Sequence, residues 1–199
     1  MNKKTFSLIC AISCSFIWGT GFVAQDMGMD FIGPYTFTSG RMFLGFLALL
    51  PFFFIFEGKK VQKSNLDLKK ILAYLLFLGF LLFGGNVLQQ ISLLYTDVAN
   101  SAVFTIFYVL IVPIVSYFLF SKKIHWSIWP AVLACLIGGL FLSELNNLSV
   151  RYGDVLVIIG SFFWAFHIIF ISKFLKIFNF PITIAMSQCL FGAMFSFIP

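Results

Sequence analysis

Ser161-Phe162-Phe163-Trp164 repeats, with one change, the earlier segment Ser15-Phe16-Ile17-Trp18. Two later pairs keep nearly the same spacing: Pro34-Tyr35-Thr36 with Pro181-Ile182-Thr183, and Gly45 with Gly192. A spacing that holds across separate motifs indicates one structural unit that has been built twice. The alternative interpretation is that aromatic-rich helices resemble one another by chance.

The composition of the chain indicates a membrane protein. Hydrophobic residues make up 61% of the sequence and charged residues only 10%, and the mean hydropathy is +1.03. Soluble proteins are roughly 25% charged, so the chain is predicted to be an integral membrane protein.

Seven apolar segments follow one another, and a helix of about 20 such residues is the unit that crosses a bilayer. They cover residues 5–24, 35–56, 71–95, 99–120, 126–142, 154–172 and 182 onward. Their apolar runs are continuous, whereas the strands of membrane barrels alternate over about ten residues. We therefore predict an all-α membrane protein, a polytopic helix bundle in which each helix satisfies its own backbone.

Basic residues lie mainly on one side of these spans. Eleven of the 13 lysines and arginines precede span one or follow spans two, four and six: Lys3, Lys4, Lys59, Lys60, Lys63, Lys69, Lys70, Lys122, Lys123, Lys173 and Lys176. The opposite loops carry Arg151 with five acidic residues: Asp26, Asp30, Asp97, Glu144 and Asp154. The positive-inside rule predicts a cytoplasmic N-terminus in a multi-pass protein of the cell membrane. The net charge of +6 reflects this topology and anionic lipid headgroups, so no nucleic-acid partner is predicted.

The repeat pairs span one with span six, and span two with the start of span seven. Each unit then contains five helices, which predicts a first repeat over residues 1–143 and the start of a second over residues 144–199. An odd number of helices makes the second unit enter the membrane from the opposite side. Inverted repeats of this kind are a recurrent transporter architecture, and ten helices are expected when both repeats are complete.

Arg41 is the one charged residue well inside a predicted span. Arginine at a helix centre costs about 2.5 to 3.5 kcal/mol on translocon scales, so its side chain is expected to face a substrate cavity or an internal partner. Alternatively, its long stem reaches the headgroups at the outer membrane surface. Gln188 occupies the matching position in the second repeat.

Trp18-Gly19-Thr20-Gly21 places two glycines in a helix that is otherwise crowded with bulky side chains. Small residues allow close helix contact or an unwound turn beside a cavity. Trp18, Gly19 and Gly21 are therefore candidates for a cavity wall, with tight packing as the alternative.

Span three places Asn86 and Gln90 on one helical face. Amides in hydrocarbon are expected to face the bundle, where they bind a solute or hold a neighbouring helix. In span four, Asn100 and Ser101 are predicted to cap the helix start, and Tyr108 is a further cavity candidate.

Trp164 and His167 lie one turn apart in span six and complete the set of cavity candidates. An intramembrane histidine can relay a proton, or it can make a structural hydrogen bond. The hydrogen bond is favoured, because no acidic residue lies near His167 in its span.

Enzymatic chemistry is not predicted. The seven acidic residues fall in loops or at span ends, which leaves no buried carboxylate pair for acid–base work. The sequence holds no HExxH, GxSxG or GxxxxGKS/T motif and no metal-ligand cluster, so no catalytic site, metal site or cofactor is expected.

Several loose motifs follow one another in a specific order. They are Phe16-Ile17-Trp18-Gly19-Thr20-Gly21-Phe22, Arg41, Tyr95-Thr96, Asn100-Ser101-Ala102, Tyr108-Val109-Leu110-Ile111-Val112-Pro113, Gly153-Asp154-Val155-Leu156 and Phe163-Trp164-Ala165-Phe166-His167-Ile168. In this series the chain resembles the EamA family of the drug/metabolite transporter superfamily over nearly its whole length. The resemblance implies ten helices in inverted five-helix repeats, a central cavity lined by both halves, and export or exchange of small metabolites, amino acids or drugs without ATP. The sequence ends in the seventh of those helices.

We therefore predict a transporter, or permease, that works by alternating access on a small-molecule substrate in the lipid bilayer. A coupling proton and a second copy of the chain, as a homodimer, are further candidate partners. The alternative is a truncated, non-transporting remnant or an assembly partner of another membrane chain. A channel is disfavoured, because no span carries a repeated polar stripe.

Overall fold

The computed structural model describes residues 2–64, 67–121, 124–142 and 151–197, and within these ranges it contains helices and no strand. Seven described helices correspond to the seven predicted spans: α1 Lys3–Met29, α2 Pro34–Gln62, α3 Leu68–Ser92, α4 Val98–Phe120, α5 Ile128–Leu142, α6 Tyr152–Ile177 and α7 Pro181–Ser196. Helices α1 to α4 and α6 are long and apolar enough to cross a bilayer, while α5 and α7 are shorter apolar helices. The predicted polytopic helical fold is confirmed. Lys122, Lys123 and Glu144, which entered the topology prediction, lie outside the described residues.

The helix starts follow ordinary capping chemistry, with one correction. Pro34 and Pro181 occupy the first turns of α2 and α7, where the missing N–H costs nothing. The prediction that Asn100 and Ser101 cap α4 was wrong, because α4 begins at Val98. Ser101 lies inside the first turn, and its hydroxyl lies 3.0 Å from Ser92 Oγ on α3.

Helix α2 runs further than the predicted span and passes through a π-helical turn at Phe53–Glu57. Such turns wind one extra residue into an α-helix and are frequent at functional sites. Glu57 is only 7% exposed, although its place near a predicted span end suggested a solvated residue. The sequence prediction missed this burial.

Glu57 joins α2 to the start of α7. Its Oε1 accepts a hydrogen bond from Ile182 N at 3.0 Å, and its Oε2 accepts from Thr183 N and Thr183 Oγ1, each at 2.7 Å. The first turn of a helix has unsatisfied N–H groups and a partial positive charge, so a carboxylate is a favourable cap. Here the cap comes from another helix.

Helix α3 lies at the centre of the bundle and packs against α6 and α7, while α2 packs along α7 and α4 along α6. A buried apolar cluster joins α3, α6 and α7: Leu75, Leu78, Phe174, Phe178 and Ile184. In contrast, α1 contacts α2 and α4, but most of its large apolar side chains are exposed.

The start of α6 packs closely against the backbone at the end of α3. A Cβ added at Gly153 would lie 2.7 Å from Ser92 O and 2.9 Å from Thr96 N. Next to it, Asp154 is 2% exposed and accepts hydrogen bonds from Thr96 Oγ1 and Arg151 N. This junction therefore depends on a residue without a side chain.

The contact between α2 and α7 is reciprocal. A Cβ added at Gly45 would lie 3.4 Å from Cys189 Sγ, and one added at Gly192 would meet Met42 Sδ. Gly45 matches Gly192 in the internal repeat, and the same spacing matches Met42 with Cys189. Contacts that exchange partners in this way are the property of surfaces related by a two-fold axis.

Candidate functional site

Helix α3 carries three buried amides, and each bonds to a different neighbouring helix. Asn86 contacts α2, Gln89 contacts α4 and Gln90 contacts α1. Buried polar groups lose free energy unless they find partners, and here the partners are on adjacent helices. The structure thus gives Asn86 and Gln90 a role in holding the bundle, while a solute contact stays a prediction.

Arg41 pairs inside the bundle. Its Nη2 donates to Asn86 Oδ1 at 2.5 Å, and Asn86 Nδ2 donates to Leu82 O at 2.7 Å. The Arg41 guanidinium carbon also lies 5.7 Å from the ring centroid of Phe37, within the range of a cation–π interaction. Internal pairing, one of the two alternatives for Arg41, is the arrangement observed.

The Asn86 amide is neutral, so it does not cancel the charge of Arg41. The ion pairs among the described residues are Lys70 with Asp67 and Arg151 with Asp97. The other described carboxylates are placed elsewhere: Glu57 caps α7, Asp154 starts α6, and Asp26 and Asp30 are exposed at the end of α1. Within the described chain, the positive charge of Arg41 is uncompensated.

Trp18 and Trp164, the matched tryptophans of the repeat, meet edge to face with ring centroids 5.0 Å apart. Trp164 is 6% exposed, and its indole Nε1 has no hydrogen-bond partner among the described residues. A Cβ added at Gly85 would lie 3.0 Å from that nitrogen, so the indole packs against the α3 backbone beside Asn86. Trp18 is half-exposed and forms the outer side of the pair.

His167 lies one turn further along α6, with its ring 6.1 Å from that of Trp164. Its Nε2 is 2.5 Å from Gln188 Oε1 on α7, which is the structural hydrogen bond favoured from the sequence. The Gln188 Nε2 group has no described partner. Gln188 therefore keeps an unused donor beside the same cluster.

The remaining candidates lie apart from this cluster. Tyr108 lines a separate cavity of about 380 Å³ with residues of α4, α5 and α6, including Ser116 and Ile168. A Cβ added at Gly19 would meet nothing within 4 Å, and one at Gly21 would lie 3.9 Å from Gln25 Nε2. Among the candidates, the structure pairs Arg41 with Asn86 and places Trp18 and His167 in ring contact with Trp164. The two groups adjoin at Gly85, the residue before Asn86, on which Trp164 packs.

Three further amide residues take part in hydrogen bonds between helices but were not predicted as site residues. Gln25 accepts a hydrogen bond at its backbone oxygen from Gln90 Nε2 at 3.2 Å, and Gln89 Nε2 donates to Thr105 Oγ1 at 2.8 Å. Gln188 is the third. Gln89 and Gln188 are amides in predicted apolar segments, which is the signal that identified Asn86 and Gln90, whereas Gln25 directly follows the predicted span of residues 5–24.

The Trp18–Trp164 contact is expected to contribute a coupling free energy of about 0.5 to 1.5 kcal/mol. The measurement is a double-mutant cycle of Trp18→Leu and Trp164→Leu, with the free energy of unfolding determined by denaturant titration in detergent. Trp18→Leu combined with Trp129→Leu is the control, because these rings are not in described contact. That control should be additive within about 0.5 kcal/mol, and equal additivity in the test pair would contradict the contact.

A protein-family model and two curated proteins match the chain. The model of the EamA-like transporter family matches residues 5–144. An uncharacterized transporter from Archaeoglobus fulgidus is 26% identical over 186 residues, which cover 94% of this chain and 55% of that protein. The uncharacterized transporter YoaV from Bacillus subtilis is 27% identical over 158 residues, which cover 77% of this chain and 52% of that protein.

The chain spans about half the length of the curated relatives it matches. No solved structure matches it. Since the family model covers more than half of the chain, and five of the described helices are long and apolar enough to cross a membrane, the chain belongs to the EamA-like transporter family.

Proposed function

We propose that the chain acts in a secondary transporter that moves small metabolites, amino acids or drugs across the cell membrane by alternating access, without ATP. The observation that carries the proposal is a set of polar side chains between the helices: Arg41 paired with Asn86, and His167 paired with Gln188 beside Trp164. Polar and ionisable groups are expensive in a membrane and typically mark a solute pathway. These side chains come from α2, α3, α6 and α7.

Alternating access rests on the proposed inverted repeats, residues 1–143 and the start of a second over residues 144–199. Two contacts support them: Trp18 meets its matched residue Trp164, and the glycine contacts between α2 and α7 are reciprocal. Both are expected if a pseudo-two-fold axis passes between the repeats. Near-equivalent halves allow the site to open first to one side and then to the other.

The proposed orientation places the N-terminus in the cytoplasm. Seven described lysines lie at the end of α2, the start of α3 and the end of α6, the end of the bundle where Glu57 caps α7: Lys59, Lys60, Lys63, Lys69, Lys70, Lys173 and Lys176. The opposite end carries the exposed pair of Arg151 and Asp97. This distribution supports the assignment of the lysine-rich end to the cytoplasm.

Flux through the purified chain tests the proposal. Liposomes containing the chain are loaded with carbon-14-labelled amino acids of neutral, acidic and basic type, and release is followed without ATP. We expect release above that of empty liposomes, with a rate reduced about tenfold by Arg41→Gln, since a charge-assisted hydrogen bond is worth roughly 1.5 to 3 kcal/mol. Arg151→Gln is the matched control and should leave the rate unchanged.

The second candidate function is that of an assembly partner for another membrane chain. The exposed apolar side chains along α1 favour it, because a partner helix can cover such a face. A chain that is folded in the liposomes but releases no labelled solute would support this function and contradict transport by the chain itself.

A further inference from the structure

Arg41, Trp164 and Gln188 each carry hydrogen-bond donors without a described partner. Arginine has five N–H groups, and the described contacts use Nη2 toward Asn86. Trp164 Nε1 and Gln188 Nε2 are buried donors without a described partner. Trp164 packs on Gly85, the residue before Asn86, and Gln188 bonds to His167, whose ring lies 6.1 Å from that of Trp164.

Charge points to the same kind of ligand. The guanidinium of Arg41 is uncompensated by any described carboxylate, and its described hydrogen-bond partner is a neutral amide. A carboxylate offers only acceptors and carries the opposite charge, and it pairs with the arginine fork through two parallel hydrogen bonds. A neutral solute satisfies the donors without balancing the charge, and a cation is repelled.

The tryptophan pair shapes the rest of the ligand. The Trp18 and Trp164 rings form an edge-to-face surface of apolar carbon beside these donors. Flat apolar groups pack favourably on such rings. An aromatic or apolar body attached to a carboxylate therefore matches both parts of the site.

We infer that the cluster around Arg41 is a binding site for an apolar or aromatic organic carboxylate, held at its charged end by Arg41, Trp164 Nε1 and Gln188 Nε2. This inference rests on the proposed transport function and names the substrate class of that site. The donors are buried in this arrangement, so the solute enters when the helices part. Gln90, whose Oε1 has no described partner, lies about 6 Å further along α3 than Asn86, and it contacts Gln25 of α1, whose Oε1 is likewise without a described partner.

Three probes of one shape and different charge test the inference. The purified full chain in detergent is titrated near neutral pH with benzoate, benzamide and benzylammonium, and binding is measured by isothermal titration calorimetry. We expect benzoate to bind at least about tenfold more tightly than either of the other two, since the charge-assisted bonds to Arg41 are specific to it. Equal affinities, or no binding of benzoate, would overturn the inference.

Two variants and one control test whether the preference for benzoate depends on Arg41. Arg41→Gln removes the charge and should abolish the preference for benzoate. Asn86→Asp keeps Arg41 but places a fixed carboxylate against it, so benzoate affinity should again fall about tenfold; this variant serves if Arg41→Gln does not fold. Arg151→Gln, at the exposed ion pair, should keep the preference. A preference that survives both test variants would overturn the proposed site.

The flux experiment separates this inference from the proposed function. Release of labelled amino acids together with equal binding of the three probes would leave transport intact and remove only the carboxylate site. Binding of benzoate that depends on Arg41, without release of either labelled amino acids or labelled benzoate from the liposomes, would keep the site and contradict transport by the chain.

Discussion

Replacing Glu57 by alanine is expected to lower the free energy of unfolding by about 3 kcal/mol or more, because stranded buried donors cost about 1 to 3 kcal/mol each. The carboxylate accepts three hydrogen bonds from Ile182 and Thr183. Both Glu57 and Thr183 are buried, so water replaces the lost acceptor poorly. The measurement is denaturant-induced unfolding of the purified chain in detergent, followed by circular dichroism.

Asp67→Ala is the matched control for this change. Asp67 also caps a helix, accepting from Lys69 N and Lys70 N at the start of α3, but it is exposed and caps its own helix. Loss of an exposed cap typically costs about 1 kcal/mol. If the two variants lose equal stability, Glu57 acts as an ordinary local cap and does not join α2 to α7.

Gly153→Ala is expected to destabilise the chain by about 2 to 3 kcal/mol through overpacking. The added methyl group would lie 2.7 Å from Ser92 O and 2.9 Å from Thr96 N. Both atoms are backbone, so no side chain can rotate away, and α6 must move from α3. That movement also strains the buried hydrogen bond between Thr96 and Asp154. Unfolding in detergent measures the loss.

Gly19→Ala should change stability in the opposite direction. Nothing lies within 4 Å of a Cβ at Gly19, so alanine adds no clash and removes the conformational freedom of glycine from a helix, worth about 0.5 to 1 kcal/mol. If Gly19→Ala destabilised the chain as much as Gly153→Ala, the loss of stability at Gly153 would come from placing alanine in a helix and not from the contact of Gly153 with α3.

Most of the fold could be predicted from the sequence, because in a bilayer the length of an apolar run decides the secondary structure. Each predicted span corresponds to a described helix, and the internal repeat anticipates that Trp18 and Trp164 are equivalent. The need of Arg41 for a partner also followed from the cost of burying its charge. That this partner is Asn86 required the structure, since several helices offered amides.

The local exceptions could not be predicted because each depends on another helix. In the sequence, Glu57 directly follows the predicted span of residues 35–56, and it is buried because α7 packs against it. Asn100 and Ser101 have the composition of an N-cap, yet the helix begins at Val98, after Asp97, and Ser101 inside it faces Ser92 of α3. Tyr108 has the chemistry of a cavity residue, but the relative positions of α4 and α6 put it in a cavity that Arg41 does not line.

The π turn at Phe53–Glu57 sets a tolerance for changes in chain length. A regular α-helical residue advances about 100° around the axis, whereas the wide turn holds one residue more than a regular turn. Deleting one of residues 53–56 would convert the π turn into a regular α-helical turn and keep the Glu57 carboxylate at the start of α7. Inserting one residue would rotate the carboxylate by about 100° and leave α7 uncapped. Functional homologues are thus expected to show gaps in this stretch, but not insertions.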